Sequence, residues 1–194
     1  YIYLWKAEVT MKLLIIFVII GILLVIYAIT GYNGFIKMIN KVDEAFSTMD
    51  VYLKKRWDLI PNLVNTVKGY AEHEKTTLES VTAMRQQSYE SMSQEEKLQA
   101  NRELGSSLGR LIATAEAYPQ LKADQQFLQL SQQLNDIEND IANSRKYYNA
   151  TVRELNTKVE TFPSNIIATL FHFAKRPIFK VASAAERENV NVEF

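Results

Sequence analysis

From Leu13 to Ile29 the chain reads LLIIFVIIGILLVIYAI without one charged residue, and extending the run to Gly31 makes it 19 residues long. As an α-helix it would be roughly 28 Å in length, close to the hydrocarbon thickness of a bilayer. A secretory signal has a shorter apolar region, about 7–15 residues, ending at an A-x-A-like site, and Ala28-Ile29-Thr30 is a poor one. A buried core helix of this length would rarely lack a polar face. The run is therefore read as an uncleaved anchor over residues 11-31 that meets the lipid bilayer through residues 13-31. Tyr27 and Tyr32 would lie near the far interface, where amphipathic aromatic rings are favoured. Met11-Lys12 looks like a bacterial start, so residues 1-10 are expected to be an untranslated leader or a short N-terminal flank.

Beyond the anchor the apolar residues follow a helical period. Ile39, Val42, Phe46, Met49, Leu53, Ile60, Leu63, Val64, Val67, Ala71, Leu78, Val81 and Met84 fall mostly three or four apart. This predicts one helix reaching Met84, unbroken from the bilayer or hinged at Gly31 to Gly34, with a kink near Asp58 caused by Pro61. Ser93 and Glu96 have capping-box spacing and predict a second helix, striped by Leu104, Leu108, Leu111, Ala115 and Tyr118 and ended by Pro119. A third should follow a short connection at Pro119 to Ala123 and run about 38 residues to Phe162, because its stripe from Phe127 through Leu134, Ile141, Tyr148, Val152 and Leu155 to Phe162 meets no Gly or Pro. Pro163 stops it, and a short apolar helix from Ser164 to Phe173 follows. No stretch alternates like a half-buried strand.

The predicted fold is all-α: a single N-terminal transmembrane helix, then an elongated antiparallel bundle of three long helices plus a short C-terminal helix over residues 32-179. Residues 180-194 lack periodicity and are expected to be a flexible tail. If the long helices run up, down and up, Phe162 ends at the membrane-distal tip.

Composition removes several chemistries. The chain has no cysteine, hence no disulfide, thiolate metal site or cysteine nucleophile. Lys and Arg number 22 and Asp and Glu 22, and no basic run with interleaved aromatics occurs, so nucleic acid is discounted as a partner. The two histidines, His73 and His172, lack the Glu-x-x-His spacing of a di-iron helical bundle, since Tyr70 and Thr169 stand three residues before them. Glu72-His73-Glu74 could offer metal ligands, but adjacent residues point apart on a helix. No catalytic, cofactor or metal residue is assigned.

The motifs RWDLIPNLV, AEAYP, LKA-x3-FLQL, R-x-YYN and FPSNIIA occur in order between Arg56 and Ala168. Together with the anchor they resemble the LemA family of bacterial membrane proteins, a likeness that covers Met11 to Phe179. The closing ENVNVEF also resembles the family's usual ending, with Asn189 where proline is common. The resemblance implies one membrane helix carrying a long-helix bundle, no established enzymatic activity, and an envelope quality-control setting near membrane metalloproteases.

Three groups of residues are candidates for function. Lys55, Arg56, Trp57 and Asp58 could form a partner surface, since Trp and Arg are enriched at interface hot spots; alternatively Arg56 and Asp58 pair across helices with charges near Glu116 or Arg145 while Trp57 packs on the bundle. At roughly 36 Å beyond the membrane edge, Lys55 would be too far from lipid head groups to sense them. Asn62, Asn65, Glu116, Arg145, Tyr148 and Asn149 could make a polar layer, either fixing helix register or binding a small molecule. Ile166, Ile167, Leu170, Phe171 and Phe173 would form a bundle cap or an interfacial segment. The leading functional expectation is a non-enzymatic scaffold or adaptor in the bacterial cell membrane, acting as a homo-oligomer or with a membrane-protein partner, a membrane metalloprotease among the candidates. The alternative is a regulatory or sensory ligand-binding module. With Lys37 and Lys41 following the anchor and Lys12 before it, the bundle leans to the cytoplasmic side by one charge.

Overall fold

The computed structural model describes residues 2–70, 75–83 and 88–179, and among them there is helix and connection but no strand. The first helix, α1 (Ile2–Lys68), includes Gly21, Gly31, Gly34 and Pro61 without interruption, so the alternative of a hinge at Gly31 to Gly34 does not hold. Its apolar run is exposed at every residue from Leu13 to Ile29 except the half-buried Ala28, and α1 is long and apolar enough to cross a membrane.

The helix ends earlier than the stripe suggests. At Lys68 it gives way to a turn in which the Tyr70 N–H donates to the Val67 carbonyl at 3.0 Å. A separate short helix, α2 (Lys75–Ala83), carries Leu78 and Val81 inward, while Met84 lies outside the described residues. A 3₁₀ turn at Tyr89–Ser91 leads into α3 (Gln94–Glu116). Here the capping box forms as expected: the Ser93 hydroxyl accepts from the Glu96 N–H, and the Glu96 carboxylate accepts from the Ser93 N–H at 2.7 Å. A cap of this kind contributes about 1 kcal/mol.

The short connection before the long third helix is itself helical. Pro119 opens α4 (Pro119–Ala123), where its missing N–H costs nothing. Asp124 is extended, with ψ 125°, and its carboxylate accepts the Phe127 N–H at 2.9 Å, starting α5 (Gln125–Glu160). Phe162, expected on the inner stripe, is 80% exposed because α5 has ended and the chain bends before α6 (Ser164–Leu170). The left-handed His172 (φ 57°) terminates α6. The Phe173 N–H reaches the Ala168 carbonyl at 2.9 Å and the His172 N–H reaches that of Thr169, the two bonds of a Schellman end.

The chain forms two compact units. Within the unit made of residues 44–150 and 177–194, Phe46, Met49, Leu53, Trp57, Ile60, Leu63 and Val67 of α1 are buried with Leu104, Leu108, Leu111 and Ala115 of α3 and Phe127, Leu130, Leu134, Ile141 and Tyr148 of α5. Tyr70 bonds Asp124, Arg56 bonds Glu138, and Phe46 meets Tyr148, so each step forward along α1 is matched by an equal step back along α5. Asp50 with Lys97 and Arg56 with Asn101 advance together instead, which makes α3 parallel to α1. The expected up, down, up order is therefore corrected. The chain turns back between Lys68 and Ser93, so α3 runs up with α1 and α5 runs down.

The other unit comprises residues 1–43 and 151–176. In it α5 again opposes α1, through Lys41 with Glu154 at 3.0 Å and the Lys158 ammonium 4.8 Å from the centre of the Phe35 ring. Ile167 of α6 sits directly on Gly31; a Cβ there would come within 3.1 Å of the Ile167 Cγ1. The expectation that Phe162 marks a membrane-distal tip fails for the same reason of helix direction. The end of α5 lies beside the part of α1 that follows the apolar run.

Candidate functional site

The densest polar cluster lies in the unit of residues 44–150 and joins α1 to both other long helices. Arg56 projects inward at 3% exposure. One terminal nitrogen donates to both Glu138 oxygens at 2.8 and 3.0 Å, and the other to the Asn101 carbonyl at 2.6 Å and side-chain oxygen at 3.1 Å. A planar guanidinium suits this task because its donors are fixed in a fork that can serve two helices at once. Its Nε is buried without a hydrogen-bond partner. The alternative pairing with charges near Glu116 or Arg145 is corrected, since Arg56 answers Glu138. The Asp58 carboxylate accepts from Lys54 one turn back on its own helix at 2.7 Å. The Glu116 side chain lies outside those described.

Asn101 continues the cluster by donating to the Lys97 carbonyl at 3.0 Å. The Tyr89 hydroxyl donates to Asp50 at 2.6 Å, and Lys97 donates to the other Asp50 oxygen at 2.8 Å with its ammonium 4.8 Å from the Tyr89 ring centre. Burial, and then the hydrogen bond to Asp50, pushes the Tyr89 phenol well above its ordinary value, so it acts here as a donor and not as a base. Trp57 is buried at 3% exposure against Tyr89, ring centres 5.4 Å apart. The outward groups of this segment are Lys55 and Asp58; Arg56 and Trp57 face in. Asp50, Tyr89, Lys97, Asn101 and Glu138 escaped sequence reasoning, as they belong to four elements with no shared spacing.

The polar-layer residues do not converge on one place. Asn62 and Asn65 are exposed. Tyr148 is buried and donates to the Pro177 carbonyl at 2.8 Å. The Asn149 side chain exchanges two bonds with the Phe179 backbone, its amide donating to the carbonyl and its oxygen accepting the N–H, each at 2.9 Å, while Arg145 lies over the Phe179 ring. These residues clasp the extended segment after α6. Asn156, in the other unit, does the same to Arg176 at 3.0 and 2.9 Å. Of the C-terminal group, Ile167 is buried and Phe173 stacks on Phe35 at 4.8 Å, whereas Ile166, Leu170 and Phe171 are exposed. No group of three or more His, Asp or Glu that could hold a metal ion occurs among the described residues; Glu72, His73 and Glu74 lie outside them.

Two caps near helix starts give a pH dependence. The Asp124 carboxyl is held below its ordinary range first by the Phe127 N–H and then by the Tyr70 hydroxyl, and Glu96 is lowered by the Ser93 N–H. A lowered carboxyl contributes stability that is complete above its unfolded value of about 4 and is lost as pH falls through the folded value. The melting temperature of the full chain in detergent should therefore decline on acidification below about pH 4, and Asp124→Asn should flatten that decline. An unchanged acid profile in Asp124→Asn would contradict the role assigned to this carboxylate.

An all-helical chain with one helix fit to span a bilayer and an interior ion-pair cluster joining three helices defines a membrane-associated helical-bundle protein. The LemA family model matches residues 45–194, and the chain belongs to the LemA family. It is 27% identical over 175 residues to Protein LemA of Metamycoplasma hominis, covering 90% of this chain and 78% of that protein. It is also 24% identical over 181 residues to Magnetosome protein MamQ of Magnetospirillum gryphiswaldense, covering 80% of this chain and 66% of that one. The same figures hold for Magnetosome protein MamQ 2 of Paramagnetospirillum magneticum. None of these names is that of an enzyme.

Proposed function

We propose that this protein is a non-enzymatic scaffold or adaptor of the bacterial envelope, anchored by residues 11-31 and presenting a bundle formed by residues 32-179 on the cytoplasmic side. The observation that carries the reading is the state of the interior cluster. Arg56, Asp50, Tyr89, Lys97 and Glu138 are engaged with one another across the helices, an arrangement suited to fixing helix register. The outer face at Lys55 and Asp58 is then available for a second copy or a membrane-protein partner, with a membrane protease as one candidate. Tyr148 and Asn149, two of the side chains considered for small-molecule binding, hold the chain's own backbone, which favours the scaffold over a sensory module.

In-cell crosslinking followed by purification of the full chain in mild detergent tests this reading. A discrete complex, with this chain or with a defined membrane protein, should appear and weaken on Lys55→Glu. Recovery of the chain solely as an uncrosslinked monomer would overturn the proposal.

A further inference from the structure

We propose that α6 is a membrane-interface helix, inserting its outer face into the leaflet from which α1 emerges; the inference rests on the reading of residues 11-31 as an anchor. Its position comes from its inner face. Ile167 lies against Gly31, the last residue of the apolar run, so closely that a Cβ there would meet Ile167 at 3.1 Å. A helix packed at that point is held at the level where the span leaves hydrocarbon. Beside it, Tyr32 makes an edge contact with Phe171 at 4.9 Å and a tilted one with Phe173 at 5.5 Å. Aromatic rings, tyrosines above all, favour that depth.

The outer face supplies the occupant's chemistry. Phe162 is 80% exposed, Leu170 64%, Ile166 53% and Phe171 42%, an apolar cluster that the described residues leave largely uncovered. Exposed apolar clusters of this kind mark an interaction surface. This one adjoins a run of side chains, Leu13 to Ile29, that is equally exposed and that lipid would cover. The same bilayer is thus the occupant that continuity selects. Charge agrees in sign: in the parts of this unit after Gly31, Lys37, Lys41, Arg153, Lys158, Lys175 and Arg176 outnumber Asp43, Glu154 and Glu160, and Lys41, Lys175 and Arg176 are the ones paired with those carboxylates. A net positive charge with an exposed apolar face is the combination that anionic lipid surfaces attract.

The chain lacks cysteine, so a single spin label can be placed without removing any residue first. Full chain carrying Ile166→Cys or Leu170→Cys is labelled and reconstituted into vesicles of phosphatidylethanolamine and phosphatidylglycerol, with Ile20→Cys as the span reference and Arg153→Cys as the aqueous one. Labels at Ile166→Cys and Leu170→Cys should lose collisions with a water-soluble nickel chelate and gain them with oxygen, as Ile20→Cys does, with circular dichroism showing unchanged helicity. Nickel exposure at both α6 sites equal to Arg153→Cys, with Ile20→Cys in lipid, would overturn the inference and leave the anchor standing. Spin–spin broadening at both sites would overturn it in favour of a second copy. Nickel exposure at Ile20→Cys would remove the anchor reading and the inference with it.

Discussion

Leu134→Asp should abolish the cooperative melting transition of the helical bundle. Leu134 is 7% exposed on the face of α5 that meets the core, among Leu130 and Ile141. The substitution forfeits about 1.5–3 kcal/mol of apolar burial and places an unpaired carboxylate where it must be rehydrated or protonated, at a further cost of several kcal/mol. Against a domain stability of about 5–15 kcal/mol, that leaves little folded protein. The control is close at hand. Leu128, six residues earlier on the same helix, is 51% exposed, and Leu128→Asp should melt within a few degrees of the parent. Thermal scans by circular dichroism on the full chain in detergent make the comparison; equal melting of the two variants would contradict the assignment of the core face.

Arg56→Ala should cost about 2–3 kcal/mol, the upper range for hydrogen bonds to a charged group. The loss leaves the Asn101 side-chain oxygen without its donor inside the helix interface and takes from the Asn101 carbonyl the bond it accepts beyond that of its own helix. It does not reach the 3–5 kcal/mol of a fully buried ion pair, because the Glu138 side chain is 41% exposed and regains water. Arg56→Lys should recover little, since an ammonium cannot reach two helices with a planar fork. A double-mutant cycle with Glu138→Ala should return a coupling of about 1–2 kcal/mol, whereas strict additivity would show that the pair contributes nothing beyond packing.

Much of the fold is legible in the sequence. The four-three steps from Leu104 to Ala115 and from Phe127 to Leu155 mark the buried faces of α3 and α5, and Ser93 with Glu96 marks the start of α3, because period and cap are both local properties of the chain. The end of α1 was not legible. Gly21, Gly31 and Gly34 lie inside that helix while Gly69 follows its last residue, and a glycine in a helical pattern weakens it by only about 1 kcal/mol, so tertiary packing decides between the two outcomes. Missing that one stop reversed the inferred direction of α5 and sent Phe162 to the wrong end. The left-handed His172 is similar: a glycine would have announced the turn, whereas histidine gives no signal.

Of the candidate site only Arg56 and Trp57 were legible in the sequence, and their geometry was not. Arg56 stood out by type, yet its carboxylate partner is 82 residues away on α5, and nothing in spacing separates Glu138 from other acidic residues of that helix. Tyr148 and Asn149 stand out in the sequence as polar residues beside an apolar stripe. Their partners proved to be backbone groups of Pro177 and Phe179, which carry no side-chain signature at all.

Everything proposed for this protein depends on α1 holding it in the bilayer, and alkaline carbonate extraction of membranes from cells producing the full chain tests that most directly. The account predicts that the chain stays in the membrane pellet with integral proteins, because residues 13-31 offer an uninterrupted apolar helix surface of bilayer length. Release of the full chain into the carbonate supernatant would contradict it.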